Sequence, residues 1–479
     1  MTDDRYRSPL GTRYASPEMQ RLWGEPHRIG LWRRVWLALA ESERELGLAI
    51  PEAAITEMRA HLDDADLGKA AEYEKRFRHD VMAHVHTFGE QAPAARAVIH
   101  LGATSAFVTD NADVVVMRDG LRMVLGRLLA VLDALETFAV KWRATPCLAY
   151  THFQPAQLTT VGKRTTLWMQ DLALDVEETI RRLETLRLRG CKGTTGTQAS
   201  FLDLFHGDHA KVRELERRFV GRMGFDACFA VTGQTYPRKQ DAQVLDLLSG
   251  VAQGCAKMAN DLRLLQHENE VLEPFESEQI GSSAMAYKRN PMRAERINGL
   301  ARFVIALQQN GAQTASSQWL ERTLDDSANR RLVLPEAFLA VDAILILAEN
   351  IARGLEVREA VVARHVTEQM PFMATERWLM LGVEAGGDRQ ALHEVVRKHS
   401  LAAAEQTAAG GVNDLMERLS ADAAFQKLDA GRLKAELDPA KYVGRSPEQV
   451  HEFLGEYLRP LMLKARPHAM TPVDAEIRV

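Results

Sequence analysis

The chain has 479 residues, 46% of them hydrophobic and 26% charged, a composition typical of a globular protein that needs two or three domains. The formal net charge of −5 argues against a general nucleic-acid binder, and the lack of any run of 18 apolar residues argues against a membrane-spanning helix. The four cysteines are widely spaced and form no CxxC pair, which argues against a zinc ribbon or a disulfide scaffold and is typical of reduced thiols in the cytoplasm.

Residues 1–104 are predicted to form an N-terminal helical domain. Residues 1–20 are irregular, lack the apolar core of a signal peptide, and carry Arg13-Tyr14 after a turn-forming Pro-Leu-Gly triplet. Apolar residues recur at helical spacing from Trp23 to Leu48, and a second helix is predicted from Glu72 to Phe88. The fingerprints GxGxxG and GxxxxGK[ST] are absent from the sequence, so neither a dinucleotide fold nor a P-loop is expected.

The second predicted helix contains three histidines. His79, His84 and His86 are separated by five and two residues, which places them on different faces, whereas a helical zinc pair sits at i and i+4. The spacing therefore argues against a metal site. A histidine such as His79, between Arg78 and Asp80, is more often a hydrogen-bonded structural residue.

Long apolar seams predict a helix bundle over residues 105–357. The longest seam runs from Val114 to Phe138 in alternating steps of three and four residues, which predicts a helix of about 30 residues, or about 45 Å. Further seams follow the same spacing: Met169–Leu183, Leu248–Leu265, Ile297–Leu307 and Phe338–Leu355. Helices with such narrow seams must pack together to bury them, and no comparable strand pattern lies between them. The sequence therefore predicts an all-α fold.

Polar segments interrupt these helices and are candidate functional loops. Thr104 and Ser105 suit a helix cap, a ligand contact or both. His152 lies in a break with proline and glutamine, where a histidine is usually a surface or capping residue. The glycine- and threonine-rich stretch 190–198 suits an anion through its backbone N–H groups, or a plain turn. A further polar break contains Gln234.

Two cationic stretches are candidates for binding an anion. Residues 281–296 begin with Gly-Ser-Ser and place three arginines and one lysine in nine residues, just before a helical pattern resumes. A helix N-terminus of this kind suits an anion, although a solvated basic loop has the same composition. Residues 321–331 hold three arginines and a serine, which suit a phosphate or a solvated turn.

The long seams stop near residue 358. The shorter helical patterns that follow, broken by two Gly-Gly pairs, predict a smaller C-terminal helical domain over residues 358–479. The last stretch, residues 466–479, has two prolines and no seam, so we expect it to be extended or loosely attached.

The stretch Gly-Ser-Ser-Ala-Met-Ala-Tyr-Lys-Arg-Asn-Pro-Met-Arg from Gly281 resembles the signature loop of the fumarase/aspartase superfamily. Within it, this stretch and the Thr-His-Phe-Gln-Pro-Ala-Gln segment from Thr151 resemble the adenylosuccinate lyase family, the animal-type form in particular. The Arg-His-Asp triplet around His79 matches a substrate-pocket motif of that family. One departure is Ala286 where the family has proline, which predicts a less restricted loop when empty. The resemblance covers nearly the whole chain.

The resemblance implies a C–N lyase that releases fumarate from adenylosuccinate, giving AMP, and from the succinyl-carboxamide ribotide of purine synthesis, giving AICAR. It implies no cofactor, no metal and a cytoplasmic enzyme. The partners it implies are small-molecule nucleotide substrates, without nucleic acid or membrane. It also implies a homotetramer with a shared twenty-helix core, in which each active site draws segments from three subunits.

The resemblance assigns roles to individual residues. It makes His152 the general acid, Ser282 the base, Lys288 a contact of the reacting carboxylate and Glu295 a partner that orients His152, while the neighbouring Ser283 stays an alternative base. The residues implied in substrate binding are Arg13, Tyr14, Arg78, His79, Asp80, Thr104, Ser105, Thr151, Gln234, Asn290, Arg296, Arg322, Ser327 and Arg331.

Two alternatives compete with this interpretation. Argininosuccinate lyase and fumarase share the Gly-Ser-Ser loop but bind no phosphate, so the arginine cluster from Arg322 to Arg331 favours a nucleotide substrate. A non-enzymatic helical assembly is the second alternative, since some superfamily members are structural lens proteins. The retention of His152, Ser282, Lys288 and Glu295 argues against it.

Overall fold

The computed structural model describes residues 5–276 and 278–473. Helices dominate it, in agreement with the all-α fold predicted from the sequence. The N-terminal helices are α1 (Pro17–Trp23), α2 (Glu25–Glu45), α3 (Glu52–Ala60), α4 (Leu67–Phe77) and α5 (Asp80–Gln91), preceded by a π-helical turn (Leu10–Tyr14) and followed by a 3-10 turn (Pro93–Ala95). Their apolar residues join one continuous cluster with the bundle that follows.

The central region consists of long helices with short insertions. In chain order it contains α6 (Ser105–Lys141), β1 (Pro146–Thr151), β2 (Gln154–Thr160), α7 (Val161–Thr185), α8 (Ala199–Leu204), α9 (His209–Arg222), α10 (Lys239–His267), β3 (Val271–Leu272), α11 (Met292–Ser316), α12 (Asp325–Gly354) and β4 (Glu356–Val357). The five predicted seams lie on α6, α7, α10, α11 and α12, and their apolar residues are buried in the common core or packed against it.

Side-chain contacts give the direction of each bundle helix. Helices α6 and α12 run parallel, because Asp113 pairs with Arg330 near their beginnings, and Gly120 packs against the ring of Phe338 further along. Helix α10 also begins beside them, through Arg238 and Asp110. Helix α11 runs antiparallel to α10, since Asn298 bonds Asn260 and Gln308 bonds Asp246. The bundle therefore has an amino end, where α6, α10 and α12 begin, and a carboxyl end, where they finish.

Two short antiparallel strand pairs lie in this otherwise helical region. The hairpin β1–β2 projects from the carboxyl end between α6 and α7, and a bulge between Ala149 and Tyr150 interrupts its register. Its two-residue turn is formed by His152 and Phe153, with φ of 54° and 59°. Strand β3 pairs with β4. The sequence marked this segment as a break between helices but did not predict strands.

The C-terminal region begins after β4. It contains α13 (Glu359–Met373), α14 (Thr375–Glu384), α15 (Arg389–Ala408), α16 (Leu415–Ala421), α17 (Ala430–Ala435), α18 (Ser446–Glu452) and α19 (Arg459–Ala465), with 3-10 turns (Ala423–Phe425, Pro439–Lys441 and Arg466–His468) and a π-helical turn (Phe453–Leu458). Helices α14 to α17 enclose a separate small core, whereas α18 and α19 return to pack on α7. The domain division at residues 104/105 and 357/358 stays a prediction.

The end of the described chain is attached more firmly than the sequence predicted. Arg466 pairs with Asp133 of α6 at 3.0 Å, and the main-chain N–H of Met470 donates to the carbonyl of Arg122 at 2.9 Å. Gly126 permits this approach, because a Cβ there would lie 1.9 Å from the Met470 carbonyl oxygen. Residues 474–479 lie outside the described part. Within the described part, no helix is long and apolar enough to cross a membrane.

Candidate active site

A cavity of about 920 Å³ lies at the amino end of the bundle. It is lined by the first residues of four helices, α5, α6, α10 and α12, and their dipoles point positive ends toward it. Nine of the fourteen residues predicted to bind substrate line this cavity: Arg78, His79, Asp80, Thr104, Ser105, Gln234, Arg322, Ser327 and Arg331. Segments up to 250 residues apart in the sequence thus meet at one site that suits an anionic ligand.

The histidine of the Arg-His-Asp triplet is held by two hydrogen bonds. His79 precedes α5, and its Nδ1 accepts from the main-chain N–H of Met82 at 3.3 Å. Its Nε2 lies 3.1 Å from the hydroxyl oxygen of Ser105, so in this network Nε2 carries the proton and donates. Thr104 occupies the N-cap position of α6 without a capping hydrogen bond from its side chain. These hydroxyls therefore face the cavity rather than cap the helix.

Two of the cavity's arginines are already close to carboxylates of the same chain. Arg331 pairs with Asp80 at 2.6 Å, and Arg322 lies 3.8 Å from Asp326. Burial acts to raise the pKa of Asp80, but the hydrogen bonds from Arg331 and from the N–H of Val81 outweigh it, so this pKa lies below its usual value. An entering phosphate would compete with these carboxylates for the two guanidinium groups.

A buried network under the cavity was not predicted from the sequence. Arg238 forms hydrogen bonds with both oxygens of Asp110 and, at 2.7 Å, with Asp326, and all three side chains are almost fully buried. Arg330 bonds Asp241 at 2.6 Å and the hydroxyl of Tyr236 at 2.6 Å. This network fixes the beginnings of α6, α10 and α12 to one another. In the sequence, this network is indicated only by charged residues at positions that adjoin the apolar seams.

The loop that carries Gln234 is fixed through its main chain. The N–H of Gln234 donates to the carbonyl of Glu321 at 2.9 Å, and its carbonyl accepts from the buried Arg189 at 2.6 Å. The neighbouring Thr232 carbonyl packs against Gly196 of the glycine- and threonine-rich stretch, where a Cβ would lie 1.8 Å from the oxygen. The side chain of Gln234 is thereby presented to the cavity from a rigid backbone.

One wall of the cavity holds further residues that the sequence did not suggest. Trp23, Arg28 and Trp32 line it, and the Arg28 guanidinium lies 5.6 Å from the centre of the Trp32 ring. No carboxylate within the described residues pairs with Arg28. The Nε of Arg28 and both indole N–H groups are buried without a hydrogen-bond acceptor. This wall adds donors to the cavity and strengthens its preference for an anion.

The residues predicted for acid/base catalysis lie elsewhere, at the carboxyl end. His152 occupies the tip of the β1–β2 hairpin next to Thr151, and both side chains are exposed. Positive φ at both turn residues is the signature of a type I′ turn, which is unusual for histidine and phenylalanine. The Phe153 side chain is 79% exposed. The hairpin therefore presents a histidine and an aromatic ring to whatever packs against this end.

The signature loop, residues 281–291, also lies at the carboxyl end. The Asn290 side chain donates to the Gly281 carbonyl at 2.7 Å, which closes the loop. The Ser282 hydroxyl oxygen accepts from the main-chain N–H groups of Ala284 (3.4 Å) and Met285 (3.2 Å). Such donors favour an alkoxide over the neutral hydroxyl. Ser283, by contrast, is exposed and makes no hydrogen bond through its hydroxyl within the described part of the chain.

The helix N-terminus beside this loop is already occupied. Both carboxylate oxygens of Glu273 accept from the first main-chain N–H groups of α11, from Arg293 at 3.0 Å and from Ala294 at 2.9 Å. The anion that the sequence suggested for this place is thus supplied by the chain itself. Glu295 and Arg296 follow in the first turn of α11, and the Glu295 side chain is exposed. Lys288 is exposed on the loop.

Arg13 and Tyr14 lie in a third location, on the π-helical turn before α1. This turn packs against α12, and the N–H of the following Ser16 donates to the buried carboxylate of Asp342 at 2.7 Å. Neither Arg13 nor Tyr14 lines the cavity. The predicted site residues therefore fall into three groups: the cavity, the carboxyl end, and this N-terminal turn.

The cavity and the carboxyl-end group are separated by the length of the bundle. Helix α10 has 29 residues and therefore spans about 43 Å at 1.5 Å per residue. The hairpin with His152 and the loop with Ser282 both follow helices that begin at the cavity and run away from it. Within one chain, these residues do not reach the residues that line the cavity.

Comparison with known proteins adds independent evidence. Residues 25–306 match a family model described as Lyase, and residues 371–453 match one described as Adenylosuccinate lyase C-terminus. The chain is 51% identical over 455 residues to adenylosuccinate lyase of Saccharomyces cerevisiae, covering 94% of each chain. It is 48% identical over 461 residues to that of Schistosoma mansoni, covering 95% of this chain and 96% of the other.

Solved structures show the same fold at lower identity. A fumarate lyase from Mesorhizobium sp. BNC1 superimposes with a TM-score of 0.79 at 22% identity, covering 92% of this chain and 98% of the other. A 3-carboxy-cis,cis-muconate lactonizing enzyme from Pseudomonas putida gives a TM-score of 0.79 at 22% identity, covering 96% and 99%.

Proposed function

The chain belongs to the adenylosuccinate lyase family of the fumarase/aspartase superfamily, and on this premise we propose that it splits adenylosuccinate into AMP and fumarate by acid/base elimination. The same elimination on the succinyl-carboxamide ribotide, giving AICAR, is part of the proposal. The observation that carries it is the match at 51% identity over 94% of both chains. The cavity with four helix N-termini and a surplus of arginine donors supports a nucleotide substrate.

The reaction makes three demands on the protein. A base must remove a weakly acidic proton from the carbon next to a carboxylate, and fixed donors must hold the charge that develops there. An acid must protonate the departing nitrogen from the opposite side, and each proton transfer contributes roughly 10²–10⁴ in rate. None of these steps requires a redox or metal centre.

In our proposal Ser282 is the base and His152 the acid. Ser282 is favoured over Ser283 because its hydroxyl oxygen already accepts two main-chain N–H groups. Lys288, on the same loop, adds positive charge near the developing alkoxide and, with Asn290, holds the reacting carboxylate. Glu295 accepts from His152 and fixes its tautomer.

The remaining residues bind the substrate. Arg322, Ser327 and Arg331 hold the nucleotide phosphate at the amino end, with His79 next to it. Arg13 and Tyr14, which lie away from the cavity of their own chain, complete that phosphate site from another subunit, and Thr104, Ser105, Gln234 and Thr151 hold the succinyl part. Arg78, Asp80 and Arg296 complete the binding surface.

This chemistry requires several copies of the chain. The cavity and the acid/base residues are about 43 Å apart in one subunit, so a working site must combine the amino end of one bundle with the carboxyl ends of others. We propose a homotetramer whose sites draw on three subunits. Exposed leucines and isoleucine on the bundle helices support such packing: Leu167, Leu174, Leu264, Ile305 and Leu332.

We also propose that the enzyme acts in the cytoplasm. All four cysteines lie in the described part of the chain and are free thiols, and Cys147, Cys191 and Cys255 are buried. Thiols that persist unpaired suit a reducing compartment.

The test is turnover of adenylosuccinate followed by ultraviolet absorbance, with AMP and fumarate identified by chromatography. We expect Ser282→Ala and His152→Ala each to lose at least about 100-fold in kcat, and Ser283→Ala, the matched control, to lose far less. Unchanged turnover in both His152→Ala and Ser282→Ala would contradict the acid/base assignment. A correctly assembled tetramer without turnover would instead indicate another fumarate-releasing substrate or a structural role.

A further inference from the structure

The hairpin that carries His152 rests on helix α13. Leu148 and Leu158, from the two strands, are buried against Val366 and Met370 of α13 in a small apolar cluster of their own. The turn itself is exposed and projects beyond this support. The orientation of His152 therefore depends on the position of α13.

A buried hydrogen bond between His365 and Glu270 fixes the start of α13. His365, next to Val366, places its Nδ1 2.8 Å from the carboxylate of Glu270, and these side chains are 16% and 1% exposed. Glu270 lies in the turn between α10 and β3, and its main-chain carbonyl accepts from the N–H of Arg358, just before α13, at 2.8 Å. Its Oε2 has no hydrogen-bond partner within the described chain. The Nδ1–H of His365 thus donates to a buried carboxylate, while the Nε2 of the same ring lies 3.3 Å from a guanidinium nitrogen of Arg364.

The charge of the same carboxylate also acts on the hairpin. Burial first, and then the negative charge of Glu270, raise the pKa of Tyr150 on β1 to about 12. Tyr150 lies two residues before His152 and beside the bulge in β1. Glu270 therefore links the end of α10 to the start of α13, and its charge reaches Tyr150 on the hairpin.

We propose that Glu270 and His365 are positioning residues for the general acid, an inference that rests on the function proposed above. Neither lies at the hairpin tip, so they act through the hairpin. From Leu148 to His152 the strand extends about 13 Å, so a tilt of about 5° at its base moves the tip by about 1 Å. A misplacement of that size lowers the rate by up to about 10²-fold.

The expected effect is larger on kcat than on KM. The cavity that holds most of the nucleotide contacts lies at the other end of the bundle and shares no residue with the pair. A hydrogen-bonded pair with a purely structural role would change the thermal stability of the protein without selectively lowering kcat. The two roles are therefore separable by experiment.

The experiment compares Glu270→Gln, His365→Gln and His365→Arg, with His399→Gln as the matched control. His399 forms a similar pair with Asp422 at 2.9 Å, on the separate core of α14 to α17 that does not include the hairpin. Arginine at position 365 supplies a charged N–H donor to Glu270 and tests whether such a donor can replace the imidazole ring.

We expect Glu270→Gln and His365→Gln to lower kcat about tenfold or more while KM stays within about twofold of the wild-type value. In His365→Arg, kcat should return to within about threefold of the wild-type value. Hydrogen exchange of residues 146–160 should accelerate in the first two variants and stay at the wild-type rate in His399→Gln. Wild-type kcat together with wild-type hairpin exchange in both glutamine variants would overturn the proposal, as would an equal kcat loss in His399→Gln. Lack of turnover by the wild-type tetramer would refute the proposed function instead, and the exchange rates would still report whether the pair holds the hairpin.

Discussion

Mixed tetramers of two impaired variants should recover activity. His152→Ala removes the proposed acid at the carboxyl end, and Arg331→Ala removes a cation from the cavity at the amino end. Loss of one charged hydrogen bond costs about 1.5–3 kcal/mol, so Arg331→Ala should lower kcat/KM by about 10- to 100-fold. The separation of about 43 Å along α10 means that any one site takes these two residues from different chains.

The expected recovery follows from counting. In tetramers reassembled at random from equal amounts of the two variants, each site has a wild-type cavity with probability of about one half and a wild-type hairpin with the same probability. About one quarter of all sites are then intact, and because purification over both tags removes the parental homotetramers, we expect the hybrids to show about 30% of wild-type activity at low substrate concentration. If one chain supplied both residues to a site, no intact site would form.

The assay coexpresses the two variants with different affinity tags, purifies the hybrids over both tags, and measures kcat/KM by ultraviolet absorbance. Arg322→Ala mixed with Arg331→Ala is the matched control, because both residues line the same cavity and their mixture should stay inactive. Hybrids verified by native mass spectrometry that show no more activity than the mean of their parents would refute the division of the site between chains.

Three further predictions concern individual positions. Glu43 is fully buried with both carboxylate oxygens unpaired within the described chain, and burial raises its pKa from 4.5 to about 9. The unfolding free energy of the wild type therefore falls as the pH rises from 4.5 to about 9. In urea unfolding, Glu43→Gln should be more stable than the wild type by about 3 kcal/mol at pH 7 and no more stable near pH 4. Gly196→Ala should lower the unfolding free energy by several kcal/mol, because its Cβ would lie 1.8 Å from the Thr232 carbonyl oxygen. Gly207 has the same positive φ but open space around it, so Gly207→Ala should cost only about 1–2 kcal/mol. Ala286→Pro should raise kcat/KM about two- to fivefold, because proline restricts the conformations of the empty loop and the N–H that it removes donates no hydrogen bond within the described residues. An unchanged or lower kcat/KM would show that the conformational freedom of the empty loop does not limit binding.

The sequence predicted the helices well because helical periodicity is local. Every residue of the seam from Val114 to Phe138 lies within a few positions of its neighbours, and the structure buries that seam on α6. The hairpin was not predicted, because its strands lack a regular local pattern. The bulge at Ala149 breaks the alternation of β1, and the partner strand contains Pro155 and mostly exposed residues, so neither strand shows a clean period of two.

The buried network under the cavity could not be predicted from the sequence for a related reason. Arg238 and Asp110 are 128 residues apart, and nothing in the spacing of either one indicates the other. Resemblance proposed the candidate site residues one by one, but their distribution along the bundle required the fold. Only the structure places His152 and the cavity residue Ser105 at opposite ends of α6.

The division of the site bears directly on how a serine is made basic. The helix N-terminus beside the loop is already neutralised by Glu273, so it has little field left for Ser282. The remaining candidates are two main-chain N–H groups and Lys288, all on a loop that faces water in one subunit, where such interactions are weak. Covering the loop with the cavity end of another subunit excludes water and strengthens each of these interactions. In the proposed mechanism assembly therefore does more than bring residues together: it supplies the low-dielectric surroundings without which Ser282 would remain an ordinary hydroxyl.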